Sequence, residues 1–349
     1  MAAKTMKAAL LHKPGDVRIE RVPRPEPGPD DVLVRVKAVG ICGSDMHFYR
    51  TGRLGSFVMK KPLILGHECA GEVAQVGKHV RTLKKGTPVA VEPGFPCRLC
   101  EHCKSGRYNL CSDVRFLAAP PVDGAFCEYL AVPADFAFPL PKGMTFEEGA
   151  LIEPLAVGMH ACTLGNVRPG KSAAVLGAGP IGLVTLQAAK VRGAAPILAV
   201  DMDGFRLAKA RELGADLAIN ASRTDPLAEL ADITEGRGVD IVFETAGAVL
   251  ATQQTVGAVA RGGTIVWVGM LPEDRFSIDV MEFICKEAEI KGVFRYANAY
   301  PPSIAMVASG RVHVKSLVTH RFTLDQAPKA LAFAASKAKN RIKIMIRMP

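Results

Sequence analysis

The first 150 residues show short alternations of apolar and polar positions separated by proline and glycine, which is typical of small antiparallel β-structures such as a barrel. From about Gly158 strand-length apolar runs alternate with helix-length amphipathic runs, as in a parallel sheet covered on both faces. The predicted strands are Ala8–Leu11, Val17–Glu20, Val32–Val36, Val73–Val80, Pro88–Val91, Ala173–Leu176, Ile197–Val200, Leu217–Ile219, Ile241–Phe243 and Thr264–Val268. The predicted helices are Pro180–Arg192, Phe205–Leu213, Pro226–Thr234 and Val249–Val259. From Phe294 the pattern returns to strand-like segments such as Arg341–Arg347, so the chain should come back to its first domain.

Length and composition narrow the class of protein. A chain of 349 residues exceeds one ordinary domain. No run of about 18 apolar residues occurs, and the start lacks a signal-peptide pattern, so we expect a cytoplasmic protein without a membrane span and with reduced thiols. The formal charge is +10, but the basic residues are scattered and aromatics make up only 6%. Nucleic acid is therefore not an expected partner, and attraction of an anionic cofactor explains the charge more simply.

A glycine pattern, G-x-G-x-x-G, lies between an apolar strand and a helix. Its glycines permit a tight turn, a close approach of the backbone to pyrophosphate and close packing of helix on strand. Asp201 ends the next strand, where a carboxylate can accept hydrogen bonds from both ribose hydroxyls and repel a 2′-phosphate, so NAD is favoured over NADP. The plainer interpretation of Asp201 is a turn residue or a helix cap. Arg206 could accept a phosphate or stack on adenine. The pattern residues are Gly177, Gly179, Pro180, Ile181 and Gly182.

Two glycine-flanked turns offer ligands for a catalytic zinc ion. Cys42 lies in the first turn, and His67 and Glu68 lie in the second. A thiolate, an imidazole and a carboxylate match three protein ligands of Zn²⁺ with a fourth position left open for chemistry. Taken singly, each residue has a plainer interpretation: a buried thiol for the cysteine and a surface turn for the other two.

Four further cysteines are spaced C-x2-C-x2-C-x7-C. Four thiolates at such short spacing can close a tetrahedron around one Zn²⁺ and leave no open position, so this second site should be structural. The remaining cysteines have no partner in sequence, and we expect them to be small buried hydrophobes. The cluster consists of Cys97, Cys100, Cys103 and Cys111; the others are Cys69, Cys127, Cys162 and Cys285.

These segments resemble the zinc-dependent medium-chain alcohol dehydrogenase family, and specifically its polyol branch of sorbitol and xylitol dehydrogenases. The resemblance covers nearly the whole chain. It implies an α/β protein with a GroES-like, mostly-β catalytic domain at 1–156 and 294–349, a Rossmann doubly wound parallel sheet at 157–293, an active site in the cleft and a homotetramer. The matching segments are Gly40–Asp45, Gly66–Gly71, the cysteine loop, Glu147–His160, the glycine pattern and Gly292–Tyr296.

The resemblance also implies roles for individual residues. Cys42 and His67 bind catalytic zinc with Glu68 as the third ligand. Glu153 stands where other zinc alcohol dehydrogenases have a cysteine ligand. In polyol enzymes a glutamate at this position tends to hold a zinc-bound water rather than the metal itself. Whether Glu68 or Glu153 touches the metal can therefore depend on which ligand is bound. Polyol hydroxyls are bound by Arg295 and Tyr296, and Phe48 and Phe116 belong to the same pocket. The nicotinamide is bordered by Val268, Gly269, Met270, Val293, Phe294 and Arg295.

The first glycine-flanked turn, here called the zinc turn because it carries Cys42, suggests a path for the substrate proton. Ser44 can accept the hydroxyl proton, and His47 can pass it through the cofactor ribose to solvent. Without the zinc turn, Ser44 would be a turn hydroxyl and His47 a surface histidine. We expect Asp45 to accept the remaining ring N–H of His67 and to fix its tautomer.

Two departures from the polyol pattern bear on the substrate. Phe48 replaces the usual tyrosine, and Ala119 stands where a threonine is common. Both changes remove hydroxyls from the expected pocket. The expected activity is NAD-dependent oxidation of a secondary hydroxyl of a polyol to a ketose, and a shorter diol such as 2,3-butanediol is the alternative substrate. A zinc-stabilised nucleic-acid-binding protein is a competing class, but it leaves Gly177–Asp201 unexplained. A reductase of conjugated carbonyls without a catalytic metal is contradicted by Cys42 with His67.

Overall fold

The computed structural model describes residues 4–271 and 275–349, and it divides into two compact units. The first unit comprises the chain up to Glu153 together with Tyr300–Ala308 and Val314–Pro349. The second comprises Pro154–Ala299 and Ser309–His313. The chain therefore returns to the first unit at Tyr300, passes briefly through the second unit again at Ser309–His313, and ends in the first.

The N-terminal part of the chain is built mainly from short strands. The strands are β1 (Thr5–Lys13), β2 (Asp16–Pro23), β3 (Asp31–Gly40), β4 (Arg53–Leu54), β5 (Phe57–Val58), β6 (Leu63–Ile64), β7 (Glu68–Val76), β8 (Pro88–Val91), β9 (Gly94–Phe95), β10 (Arg115–Phe116), β11 (Tyr129–Pro133) and β12 (Ala137–Pro139). The α-helices are α1 (Gly43–Thr51), α2 (Glu101–Lys104) and α3 (Phe146–Ala150), and 3₁₀ helices lie at Tyr108–Leu110 and Ala134–Phe136.

The rest of the chain alternates strands and helices before it returns. The helices are α4 (Ile152–Leu164), α5 (Pro180–Val191), α6 (Gly204–Glu212), α7 (Pro226–Ile233), α8 (Val249–Ala258), α9 (Val280–Lys286), α10 (Tyr300–Ala308) and α11 (Ala327–Ala335). The strands are β13 (Ala173–Leu176), β14 (Ile197–Asp201), β15 (Leu217–Asn220), β16 (Val239–Glu244), β17 (Val259–Trp267), β18 (Glu289–Gly292), β19 (Val318–Thr323) and β20 (Lys343–Arg347). Two more 3₁₀ turns are Lys315–Leu317 and Leu324–Gln326.

The main sheet of the first unit is organised around β3. Its strand order is β12-β8-β7-β3-β20-β19, and β11 pairs with the first half of β3. At the end of β3, Gly40 is opposite Glu68 of β7 on one side and Met345 of β20 on the other. The sheet is mostly antiparallel, but β19 and β20 run parallel, which the antiparallel pattern in the sequence did not predict. Its register brings the residues after β3 and the start of β7 to one end of the sheet.

The second predicted glycine-flanked turn is shorter than expected. A strand was predicted at Val73–Val80, but β7 already begins at Glu68 and ends at Val76. Gly66, with φ at +86°, is a true turn residue. Gly71 is not a turn residue, because it lies inside β7. A Cβ at this position would collide with the carbonyl oxygen of Arg35 on β3. Glycine at this position lets the two strands pack closely.

The second unit contains a parallel sheet in the order β15-β14-β13-β16-β17-β18. The strand order reverses beside β13, and in such sheets ligands bind beyond the carboxyl ends of the strands at this switch point. The five strands predicted from Ala173 to Val268 and the four predicted helices are confirmed, with ends that shift by up to five residues. These elements were predictable because both faces of the sheet are covered, so its strands are continuous apolar runs.

The C-terminal stretch differs from its prediction. Strand-like structure was expected from Phe294 onward, yet α10 and α11 lie there beside β19 and β20. Pro301 and Pro302 are in the first turn of α10, and Pro328 is in the first turn of α11. Proline is tolerated in a first turn because the N–H it lacks has no partner within the helix. The structure describes no helix that is long and apolar enough to cross a membrane.

Candidate metal centre and nucleotide site

Three of the predicted zinc ligands come together. Cys42 is the N-cap residue of α1, His67 precedes β7, and Glu68 opens β7. Their ligand atoms all lie within 4.8 Å of one another. Cys42 is half-buried, whereas His67 and Glu68 are buried. Thiolate, imidazole and carboxylate in one partly enclosed group are a donor set that fits Zn²⁺.

Asp45 joins the two ligand-bearing turns. Its carboxylate accepts the backbone N–H of Cys42 and that of Gly66, each at 2.9 Å. The structure shows a backbone donor on each oxygen in place of the predicted ring N–H of His67, which interacts with Asp45 through its charge. Asp45 is buried, and burial raises its pKa. Its role in the geometry is to fix the distance between the turns.

Lys343 joins the same two turns from β20. Its ammonium group donates to both oxygens of Glu68, at 2.6 and 2.8 Å, and to the carbonyl oxygen of Ile41 at 3.1 Å. Both side chains are buried. Lys343 was not predicted from the sequence, since 275 residues separate it from Glu68 and no local motif marks it.

The imidazole of His67 lies between charged and aromatic neighbours. Burial alone would lower the pKa of His67, but Cys42, Glu153 and Asp45 outweigh burial and raise it to about 10. The ring of Phe116 lies 5.3 Å from that of His67, centroid to centroid. Glu153 is buried in the first turn of α4 and lies outside the group of three mutually close ligands. Its charge nevertheless contributes to the raised pKa of His67.

The residues predicted for proton transfer lie on α1. Ser44 and His47 are three positions apart, so they share one face of the helix, and both are half-buried. Burial, and secondarily Arg50, lowers the pKa of His47. Phe48 on the same helix is buried in the hydrophobic core of the first unit.

The four clustered cysteines form a second group of close ligand atoms. The sulfur of Cys103 lies 3.4 Å from that of Cys100 and 3.9 Å from that of Cys97. The backbone N–H groups of Leu99 and Cys100 point at the Cys97 sulfur and lower its pKa to about 7. Cys111 completes the group. Four thiol ligands at these distances fit a closed tetrahedral zinc site.

The cysteines outside these groups follow the sequence prediction with one exception. Cys69, Cys127 and Cys162 are buried, as predicted. Cys285 is exposed, so its prediction as a buried residue is wrong. It lies on α9, a short helix whose residues are half-buried or exposed in the single chain.

The glycine pattern has the geometry of a nucleotide loop. Gly177 follows β13 with φ at +103°, a conformation that favours glycine. Gly182 packs so closely on the carbonyl oxygen of Gly177 that no Cβ would fit. At Gly179, the N-cap of α5, a Cβ would meet nothing nearer than the Arg206 guanidinium at 3.9 Å. The backbone is therefore open where a pyrophosphate would approach the helix N-terminus, and Pro180 and Ile181 begin that helix.

Asp201 lies at the end of β14, as predicted. Its carboxylate accepts the backbone N–H of Ala178 at 2.7 Å and that of Asp203 at 2.9 Å. The guanidinium of Arg206 lies 3.9 Å from the Asp201 carboxylate. The acid is thus held beside the glycine loop with a cation next to it.

Glu244 is a further buried acid that sequence reasoning missed. It ends β16, and its carboxylate accepts the backbone N–H groups of Ala246 and Gly247, each at 2.9 Å. Its carbonyl oxygen accepts the N–H groups of Val268 and Gly269 at 2.9 and 3.0 Å. Glu244 therefore fixes the loops that follow two neighbouring strands, one of which leads to Met270. The available signal was an acidic residue that ends an apolar strand.

The predicted polyol signature follows β18 in the second unit. Arg295 has φ at +57°, and its guanidinium lies over the ring of Phe294 at 4.5 Å from the centroid. Tyr296 is buried, while Phe294 is largely exposed and Val293 is half-buried. A non-glycine residue with positive φ is uncommon and is often found at functional sites.

Comparison with known proteins agrees with this geometry. Residues 28–142 match the alcohol dehydrogenase GroES-like domain, and residues 180–309 match the zinc-binding dehydrogenase domain. Sorbitol dehydrogenase of Bacillus subtilis (strain 168) is 46% identical over 98% of this chain and 97% of its own length.

Solved structures give the same result. An oxidoreductase/dehydrogenase of unknown specificity from Escherichia coli superposes with a TM-score of 0.95 at 43% identity, covering 99% of this chain and 100% of its own. The 2R,3R-butanediol dehydrogenase of Bacillus subtilis has a TM-score of 0.89 at 36% identity, with coverage of 98% and 99%. The resemblance and the predicted fold class are confirmed: the chain belongs to the zinc-dependent medium-chain alcohol dehydrogenase family, in its polyol dehydrogenase branch.

Proposed function

We propose that this protein is an NAD- and zinc-dependent dehydrogenase that oxidises a secondary hydroxyl of a polyol to a ketone. The observation that carries the proposal is the convergence of Cys42, His67 and Glu68 within 4.8 Å. The same chain has a nucleotide loop at the switch point of a parallel sheet. Its similarity to sorbitol dehydrogenase over nearly full length supports the substrate class.

In the proposed reaction, Cys42 and His67 hold the catalytic zinc, and Glu68 or Glu153 completes the protein ligands. When bound, zinc acts as a Lewis acid that makes a hydroxyl group easier to deprotonate. Ser44 accepts the proton, and His47 carries it toward solvent. Because burial lowers the pKa of His47, its imidazole is neutral near pH 7 and can accept a proton.

The proposed cofactor site uses the open backbone at Gly179 for the pyrophosphate and Asp201 for the adenosine ribose. A carboxylate there favours NAD, since it repels the 2′-phosphate of NADP. Arg206 lies close enough to Asp201 to screen part of this charge. We also propose that Val268, Gly269 and Met270 with Val293, Phe294 and Arg295 border the nicotinamide.

The proposed substrate contacts are Phe116, Arg295, Tyr296 and Glu153. The ring of Phe116 against His67 would exclude water on one side of the metal. A shorter diol is the second candidate, because Phe48 and Ala119 offer no hydroxyl. The similarity to a butanediol dehydrogenase supports this alternative.

The proposal extends to the second metal site, the domain limits, the location and the assembly of the protein. The cysteine cluster holds a structural zinc, and the catalytic and Rossmann domains have the limits 1–156 with 294–349 and 157–293. The protein is cytoplasmic, which its nine free cysteines support. It forms a homotetramer, for which the outermost strand β18 and the exposed apolar residues Val280, Met281 and Ile284 of α9 offer a self-association surface.

The test is a panel of polyols, diols and secondary alcohols, with NADH formation followed by absorbance and NADP run in parallel. The proposal predicts the highest kcat/KM for a polyol with NAD. A diol as the best substrate would favour the second candidate. Retained zinc without NADH formation from any alcohol would contradict both.

A further inference from the structure

Lys343 is a buried lysine with a complete set of acceptors. Only 3% of its side chain is exposed, and the carboxylate it binds on Glu68 is fully buried. An ammonium group has three donors, and here they meet the two oxygens of Glu68 and the carbonyl oxygen of Ile41. Lys343 thus contacts the residue before Cys42 and the residue after His67.

The backbone around this ion pair is built to accommodate it. The N–H of Ile41 donates to the carbonyl oxygen of Ile344 at 2.9 Å, which brings the start of β20 beside the first ligand turn. At Gly40, a Cβ would collide with an oxygen of Glu68. The absence of a side chain there leaves the space that the carboxylate fills.

The charges explain why the pair is needed. A buried carboxylate without a counter-charge is strongly destabilising. The ammonium group of Lys343 lies 2.6 and 2.8 Å from the two oxygens of Glu68, so this lysine supplies the counter-charge that the buried carboxylate needs.

We infer that Lys343 is a positioning residue that acts as the standing counter-ion of Glu68 and competes with the catalytic metal for its carboxylate. This inference rests on the proposed metal site at Cys42 and His67. It explains how one glutamate can be a close neighbour of the metal and an exchangeable ligand: in the metal-free site its charge is already satisfied. Binding through Glu68 then requires that its contact with Lys343 weakens.

The inference predicts opposite effects on stability and on metal affinity. Lys343→Met leaves Glu68 without its counter-ion, so the metal-free protein loses stability. The metal then becomes the remaining counter-charge for Glu68, so the zinc-loaded protein loses less. Zinc affinity at the catalytic site should rise by about 10- to 100-fold, the range over which residues behind metal ligands act.

The experiment measures zinc affinity by competition with a chromophoric chelator, zinc content per chain by atomic absorption, and Tm with and without zinc. Lys343→Arg keeps the cation and should bind zinc as the wild type does. Arg347→Gln is the matched control, because it removes a cation from the same strand that pairs with Glu147 instead. This control should lower Tm equally with and without zinc and leave zinc affinity unchanged.

A double-mutant cycle covers the case in which metal-free Lys343→Met does not fold. In a Glu68→Gln background the buried charge is absent, so adding Lys343→Met should leave zinc affinity unchanged. The same gain in affinity in both backgrounds would mean that Lys343 repels the metal directly, and the inference would be overturned. Zinc affinity and zinc-dependent Tm shifts that match the wild type in Lys343→Met would also overturn it.

Cys42→Ser separates this failure from failure of the proposed function. If Cys42→Ser loses one zinc per chain while Lys343→Met behaves like the wild type, only the role of Lys343 is wrong. If Cys42→Ser keeps the full zinc content of the wild type, the proposed catalytic site is wrong, and the inference falls with it.

Discussion

Glu92 should make the stability of the protein fall between about pH 5 and pH 8. The residue follows β8 and is 2% exposed. The hydroxyl of Tyr108, from the cysteine loop, donates to one of its carboxylate oxygens at 2.8 Å, while the other oxygen has no partner in the part of the chain that the structure describes. Burial raises the pKa of Glu92 from 4.5 to about 7; Tyr108 opposes this, and the charges of Glu153 and Asp135 add to it.

The size of the effect follows from this difference in pKa. Because the folded protein keeps a proton that the unfolded chain releases, stability is highest below the unfolded pKa and falls as pH rises toward the folded one. The whole difference corresponds to about 3 kcal/mol, and about 2.5 kcal/mol of it is lost between pH 5 and pH 8. For a chain of this length that is about 3 °C in Tm.

Glu92→Gln removes this titration with little change in shape. Thermal unfolding from pH 5 to pH 8.5 should show the variant gaining about 3 °C on the wild type over this range. Tyr108→Phe removes a hydrogen bond that lowers the pKa, so it should move the fall in stability to higher pH. Asp135→Asn removes a charge that raises the pKa of Glu92, so it should move the fall in stability to lower pH, opposite to Tyr108→Phe. A constant difference between Glu92→Gln and the wild type at every pH would refute the reasoning.

Three other predictions test the site and the fold. Asp201→Asn should raise kcat/KM for NADP relative to NAD by at least about tenfold, the factor that 1.4 kcal/mol provides; an unchanged ratio would count against its ribose role. Cys42→Ser should abolish turnover with Tm nearly unchanged, whereas Cys97→Ser should lower Tm by at least about 5 °C. The reverse pattern would mean that the cysteine cluster is the catalytic site and the site at Cys42 is the structural one. Glu147→Gln weakens the ion pairs of a buried carboxylate with two partly exposed arginines. It should lower the free energy of unfolding by about 2 kcal/mol and Tm by about 3 °C. The exposed Asp325→Asn, which breaks the pair with Lys7, is its control and should have no measurable effect.

The parts of the fold that local sequence determines were predictable. The strands of the parallel sheet are short apolar runs, and β13 was predicted with the limits it has. Cys42, His67 and Glu68 could be grouped because they lie in two recognisable segments flanked by glycines. The same reasoning failed at α10 and α11, where strand-like segments were expected and the structure has helices with prolines in their first turns.

Contacts across the sheet could not be predicted in this way. Lys343 and Glu68 meet only because β20 and β7 both flank the end of β3. The same register makes Gly40 a packing position for the Glu68 carboxylate. The partner expected for Asp45 was the imidazole of His67, but its carboxylate accepts backbone N–H groups from both ligand-bearing turns. Such choices depend on tertiary geometry and leave no periodic signal in the sequence.

The central claim is that Cys42 and His67 hold one metal ion. The most direct measurement is an anomalous difference map at the zinc absorption edge, from crystals of the active, zinc-loaded protein. We predict a peak about 2.3 Å from the sulfur of Cys42 and about 2.0–2.1 Å from a ring nitrogen of His67. Active protein whose crystals show zinc only at the four clustered cysteines would contradict the account.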